Sequence, residues 1–475
     1  MKGLEKWISK NVVRRKEKGE ITVLLSLFLL LLLIFVMAIL ESASIQIAKN
    51  IRRADVERAV ESVFAEYQKE LLREYDIFAL DGTYETGSYG EDKIRKRLGI
   101  YGAVEDEAEI EGIRFLSDEN GREFLIQIKH YMENRFGIDA IEDMTQKEEE
   151  IKRQEEEIKK YEEEQEKNDQ MLDELLEQMP EEGGADAADG EETDNPLEIL
   201  QNLKRKAIAE MVLPRDKKVS GKTVRGMDGV SVREKREGKG SLPAVGEDST
   251  GERLYLLTYI SEHFETYLKT DEERPLEYET EYLIGGQPED MENLEIVLDK
   301  IKNIRFVPNY LYLQSDEEKK AEAKALAAVI STLLANPELI PVIQQGLLAA
   351  WAYGESIMDL RALAAGKKVP AIKTKETWKL SLSNLLKLGT SEDAGTDSGE
   401  DDGTDYEDYL KILLLMEKQD TITMRMLDLI EWNMQMRMDC PFFQADACVT
   451  RMKIQSRCRL RSGVSYHFST YYEYR

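Results

Sequence analysis

Residues 21–40 read ITVLLSLFLLLLLIFVMAIL, twenty positions without a charge and with only Thr22 and Ser26 polar. At 1.5 Å per residue a helix of that length spans about 30 Å, the thickness of the hydrocarbon core of a bilayer. Both hydroxyls have carbonyls of the preceding turn within reach. A soluble protein rarely buries a helix of this length so uniformly apolar on every face. The reading is a transmembrane helix. A cleaved secretory signal is the rival. Its apolar region runs about 7–15 residues, shorter than this one, although Ser42-Ala43-Ser44 offers small residues for cleavage. Either way the chain downstream is exported.

Charge orients the span. Residues 1–18 hold seven basic side chains (Lys2, Lys6, Lys10, Arg14, Arg15, Lys16, Lys18) against Glu5 and Glu17, while the whole chain has a net charge of −29. Everything after that basic segment therefore carries −34. The positive-inside rule puts residues 1–20 in the cytoplasm and Glu41 onward outside, a single-pass cell-membrane protein with the bulk of its chain extracytoplasmic. So acidic a chain is not expected to bind nucleic acid, because phosphate binding needs a basic surface.

Helical spacing continues beyond the span. Val56, Val60, Val63, Tyr67 and Leu71 recur on one side with charges between them. An amphipathic helix is expected within 41–82, running to Tyr75 as one rod of about 80 Å. Its apolar side is a candidate assembly face for partner subunits, or else packs on the protein's own outer domain. Residues 83–143 open that domain. Positions 108–116 alternate as a strand, with a slip at Gly112, Asn120-Gly121 marks a turn, and 123–136 reads as a helix.

Residues 144–213 form a charged helical arm. Ile151, Ile158, Leu172 and Met179 keep a seven-residue period that Gln165 interrupts, and half of the seam is polar, which suits a long charged helix, or half of a helical hairpin, better than a self-sufficient coiled coil. Residues 214–253 read as a flexible, locally basic loop. Residues 254–390 are helix-rich, with helices at 254–268, 291–313, 317–334 and 342–365, a strand at 276–284 and short strands within 369–382. Residues 391–405 form an acidic linker. Residues 406–475 supply a long helix, 406–437, and a C-terminal β-hairpin whose Val464, Tyr466, Phe468, Thr470, Tyr472 and Tyr474 line one face. The fold class is α+β: a transmembrane helix continuing into an amphipathic one, a helix-rich outer domain with a small antiparallel sheet, and the inserted arm.

No residue set commits to chemistry, and no catalytic, cofactor or metal site is expected. Gly221-Lys222-Thr223 has the end of a phosphate loop but Asp216 where its first glycine belongs. His130, His263 and His467 fall in separate elements without metal-ligand spacing. Asp393, Asp397, Asp401, Asp402 and Asp405 lack the spacing of a calcium loop. Cys448 and Cys458 lie on one strand about 33 Å apart, too far for a disulfide; Cys440 either pairs with one of them or stays free.

Two short stretches carry a resemblance. One is Lys18-Gly19-Glu20-Ile21-Thr22-Val23 entering the span, with Leu40-Glu41-Ser42-Ala43 leaving it. The other is Glu70-Leu71-Leu72-Arg73-Glu74-Tyr75-Asp76-Ile77-Phe78-Ala79-Leu80-Asp81. In these the chain resembles TadE/TadG-like, Tad/Flp pilus-associated single-pass membrane proteins, in a long Gram-positive form. The resemblance implies a candidate processing site between Gly19 and Glu20. Leu24 stands five residues after that cut, where type IV pilins carry glutamate. It also implies a non-enzymatic component of a cell-surface pilus- or secretion-type assembly, with the membrane and other envelope or pilus-type proteins as partners. A surface-exposed ligand-binding or sensing protein is the alternative, and a membrane-tethered hydrolase the third.

Overall fold

The computed structural model describes residues 2–103, 108–136, 206–214, 218–243, 251–333, 336–385, 387–388, 403–460 and 463–474. Nearly all of the charged arm, its heptad seam included, and residues 391–402 of the acidic linker lie outside them. The fold is α+β, with an N-terminal helix, a helical body and a small antiparallel sheet.

Helix α1 (Lys2–Phe64) is continuous. It ends eleven residues before Tyr75, so the expected rod is shorter: from Ile21 to Phe64 the 44 residues span about 66 Å. The chain turns at 65–68 and restarts as α2 (Lys69–Tyr75), where the Gln68 side chain accepts from the backbone N–H of Glu70. The helical spacing runs across this break because both helices bury apolar residues, in different cores. Val56, Val60, Val63 and Phe64 enter one cluster, Leu71 and Tyr75 the other.

The sheet is built around β3 (Cys448–Arg459). β2 (Ala108–Phe115) pairs antiparallel along one side, with register shifts at Ile110/Gly112, where the alternation slips, and at Arg114/Phe115. β1 (Leu80–Asp81) and β4 (Ser465–Glu473) share the other side, since Val449 faces both Leu80 and Phe115. One face of this sheet, with α3 (Glu91–Ile100), receives the end of α1. The larger core is helical: α4 (Asp118–Phe136), α5 (Ile208–Val212), α6 (Glu252–His263), α7 (Glu279–Gly285), α8 (Asp290–Ser315), α9 (Glu317–Leu333), α10 (Ile340–Ala364), α11 (Leu382–Leu385), α12 (Tyr406–Met416) and α13 (Gln419–Met436).

Four further expectations are corrected. Residues 276–284 are no strand: Glu279–Gly285 is α7, capped by Gly286 at φ 67°, a left-handed conformation that glycine adopts without strain. Buried carboxylates at Glu279 and Glu281 made this helix look like an alternating strand. Residues 369–382 form no strands, only the single bridge Val369↔Thr404; the N–H groups of Lys379 and Leu380 go to the Glu355 carboxylate. The long helix at 406–437 breaks after Met416, where the Arg253 guanidinium takes the carbonyls of Leu415 and Glu417. The loop within 214–253 is not loose over 218–243. Val224 and Val230 are buried, Lys239 exchanges both backbone hydrogen bonds with Ile113 on the outer edge of β2, and Arg233 pairs with Glu431 and Asp446.

Candidate functional site: the membrane span and its seat on the sheet

From Ile21 to Leu40 the apolar side chains of α1 stand exposed among the described residues. The mean hydropathy of the stretch reaches 3.3. Burying so much apolar surface is the dominant favourable term available to it, and only a lipid or protein partner supplies the burial. Gly19 and Glu20 lie within the same continuous helix.

The other end of α1 is seated in the protein. Val56, Ala59, Val60, Val63 and Phe64 are buried against Ile110, Met452 and Ile454 of the sheet. Two tyrosines of β4 and its end hold the helix backbone: Tyr466 Oη donates to the Lys49 carbonyl at 3.2 Å, and Tyr474 Oη to the Phe64 carbonyl at 2.5 Å. The Phe64 ring packs 4.4 Å from Tyr472 and 5.0 Å from Tyr474. Beyond the helix, Tyr101 Oη donates to Glu66 at 2.7 Å. Lys49 to Phe64 is about 22 Å of helix, and Tyr466 to Tyr474 about 26 Å of strand. The strand therefore runs alongside the helix in the same direction, and the start of β4 lies toward the apolar stretch of α1.

This geometry redistributes the expected assembly face. Val56, Val60 and Val63 are in the sheet core, Leu71 is in the helical core, and Tyr67 lies edge-on to Phe78 at 5.2 Å. They pack on the protein's own domain and leave no common surface for a partner. Sequence reasoning passed over the opposite side of the same helix. There Ile47 and Ile51 are 59% and 56% exposed, and their signal was a pair of isoleucines four apart just past the span.

The helical body holds a second unanticipated feature, a buried quartet of charges. Asp359 on α10 takes Arg305 of α8 at 2.9 Å and Lys373 at 2.6 Å, and Lys373 also reaches Glu355 at 2.6 Å. Asn309 donates to Asp359 at 3.1 Å and Tyr409 lies 3.3 Å from Arg305. Burial works against the charge on Asp359, but Arg305 and Lys373 outweigh it and hold its carboxyl below the usual range; burial pushes Glu355 up. Two cations and two carboxylates, each hydrogen-bonded, make this a clamp between α8, α10 and the 371–380 loop.

The residues weighed earlier for chemistry are dispersed or engaged. Lys222 donates to the Arg274 carbonyl at 2.8 Å and pairs with Glu277 at 3.2 Å. His263 is buried, its Nδ1 3.0 Å from the Tyr259 carbonyl and its Nε2 3.2 Å from Asp76; His130 is on α4 and His467 on β4. Cys440 and Cys448 are free thiols, and Cys458 is buried on β3. Among the described residues no group of three His, Cys, Asp or Glu side chains is placed to hold a metal. A hollow lined by Ile260, Phe264, Thr280 and Leu410 holds about 20 Å³, and one between Arg52, Ala103 and Cys458 about 10 Å³. Each has room for about one water, against the several hundred Å³ of a small-molecule pocket.

These features define a class: an α+β protein with a helical body, carried on one N-terminal helix long and apolar enough to span a membrane. The chain belongs to a family of unknown function (DUF5702), whose model matches residues 186–460. No curated protein and no solved structure matches it.

Proposed function

We propose that the protein is a non-enzymatic, membrane-anchored component of a cell-surface assembly of the pilus or secretion type. Its N-terminus is cytoplasmic and its body lies on the outer face. The observation that carries this reading is the double use of α1. One end is bare and apolar over a bilayer's thickness, while the other is a core element of the outer domain. A flexible tether would suffice to keep a soluble binding protein near a membrane; a helix built into the domain fixes that domain's position relative to neighbours in the same membrane. The basic residues before the span favour the stated orientation. The likeness of residues 18–23, 40–43 and 70–81 to TadE/TadG-like proteins supports the type of assembly, with Gly19-Glu20 as the processing site.

The test is recovery of the full-length protein from intact cells after chemical cross-linking, followed by identification of what is bound to it. Co-recovery with envelope or pilus-type proteins is expected. Repeated isolation of such complexes without this chain would overturn the proposal. N-terminal sequencing of the mature protein, with starts at Met1, Glu20 or Ile45 as the outcomes, checks the anchor itself: a start at Ile45 removes it.

A further inference from the structure

Between the membrane and the sheet, α1 leaves one side uncovered. At 100° per residue Leu40, Ser44, Ile47, Ile51 and Ala54 fall on one narrow strip, about 180° around the helix from Val56, Val60 and Val63. All five are exposed. Ile47 lies about 10 Å and Ile51 about 16 Å past Leu40, where the hydrocarbon ends; the headgroup layer is about 5–7 Å deep. Both isoleucines therefore stand beyond the lipid, in water. Their spacing is a heptad seam, with Ser44 and Ile51 at one core position and Leu40, Ile47 and Ala54 at the other. It continues without a shift into Leu30, Leu33 and Met37 of the span.

We propose that a second copy of this chain covers the strip, so that two α1 helices pair in parallel from within the membrane up to Ala54. This deepens the assembly reading by naming the partner of the stem, and it rests on α1 spanning the membrane. Three observations select a second copy over another occupant. Of the residues flanking the strip in the stem, Ala43, Ala48 and Asn50 are uncharged and Glu41 would face Val36 of a parallel copy, so identical helices meet without like charges opposed, whereas the chain as a whole, at −29, repels its copies. Lys49, Arg52 and Arg53 lie around the helix toward the domain side. The seam stops where charge begins, at Asp55, Glu57 and Arg58, which form pairs within their own helix. Last, the sheet docks on the far side of α1, so a two-fold axis along the membrane normal places the two outer domains apart.

The experiment uses the full-length protein in membrane vesicles, with Cys440→Ser removing the partly exposed thiol and buried Cys448 and Cys458 retained. Ile47→Cys and Ile51→Cys are compared with Arg53→Cys, an exposed position on the other side of the stem, under mild oxidation. Disulfide-linked homodimers are expected from positions 47 and 51 at least tenfold more than from 53. Equal yields at all three positions would mean random collision and would refute the pairing. Cross-linking of 47 and 51 to a different polypeptide would also refute it while leaving the assembly reading intact. A monomer under all conditions, with envelope proteins still co-recovered from cells, overturns self-pairing alone.

Discussion

Glu281 is a carboxyl without a cation. It sits in the first turn of α7, fully buried. Its Oε1 accepts the backbone N–H of Tyr267 at 2.9 Å and the hydroxyl of Tyr406 at 2.8 Å, while Oε2 has no partner among the described residues. Burial pushes it up to about 7, against the pull of those two donors and with a small push from Asp290. In the unfolded chain it titrates near 4.5. Because the folded value is the higher, the folded state keeps its proton longer; stability is full at low pH and falls as pH rises between those values. From pH 5 to pH 8 the loss at this one group is about 2–3 kcal/mol. Glu281→Gln fixes the neutral form. Its carbonyl oxygen takes both existing hydrogen bonds, and its amide occupies the unpartnered side. The variant is expected to match the natural protein near pH 5 and to exceed it by about 2–3 kcal/mol at pH 8. Urea unfolding of the full-length protein in detergent at a series of pH values measures this. The fluorescence of Trp432 is the reporter, its ring 5.3 Å from that of Tyr282. An identical pH slope in both proteins, or a variant less stable at pH 8, would refute the reasoning. The neighbouring Glu279 is also pushed up to about 7, with Arg274 opposing, so part of the slope persists in the variant.

Removing Asp359 from the buried quartet leaves Arg305 and Lys373 with Glu355 alone; Asp359→Asn is expected to cost about 3–5 kcal/mol, read as a lowered urea midpoint. Val63→Ala, in the seat of α1, should cost about 2 kcal/mol, whereas exposed Ile47→Ala should change unfolding by less than about 0.5 kcal/mol; equal effects would mean that the sides of α1 are misassigned. Gly240 has φ +73°, and an added Cβ would lie 2.0 Å from the Glu111 carbonyl oxygen. Gly240→Ala is thus expected to cost about 2 kcal/mol or more and to speed deuterium exchange at the Ile113 amide, which the 218–243 segment protects. A fragment of residues 186–460 retains β3 but lacks β1, β2 and β4; it should lack native near-ultraviolet dichroism.

Strong periodicity made much of the fold readable. The span, the α8–α10 helices, the slip at Gly112 and the final hairpin follow from spacing alone. The break after Phe64 left no mark because Ala65-Glu66-Tyr67-Gln68 contains neither glycine nor proline, and helical spacing cannot tell one core from two. The 218–243 segment read as loose because its ordering partners, Asp428, Glu431 and Asp446, lie about two hundred residues away. A segment of lone apolar residues among charges looks the same whether its charges meet water or distant carboxylates. The quartet did leave a trace: Glu355 and Asp359, one turn apart, fall among the apolar residues of the mostly buried second half of α10. Acidic side chains on the buried side of a helix require cations, but the pattern does not say which ones.

The family match and the folded unit do not coincide. β3 lies inside residues 186–460, yet β1, β2 and β4 all lie outside. Val449, Met452 and Ile454 of β3 are covered by Val60, Val63 and Phe64 of α1, so the helix that is long and apolar enough to span a membrane also completes this core. Freeing it would expose the buried face of the sheet and release the backbone bonds made by Tyr466 and Tyr474. A rotation or tilt of α1 is thus passed directly to β4 and β3. From β3 it reaches the helical body through Arg451, which pairs with Glu123 on α4. The apolar stretch of α1 and the sheet are thereby mechanically one unit, a coupling that a flexible tether would not provide.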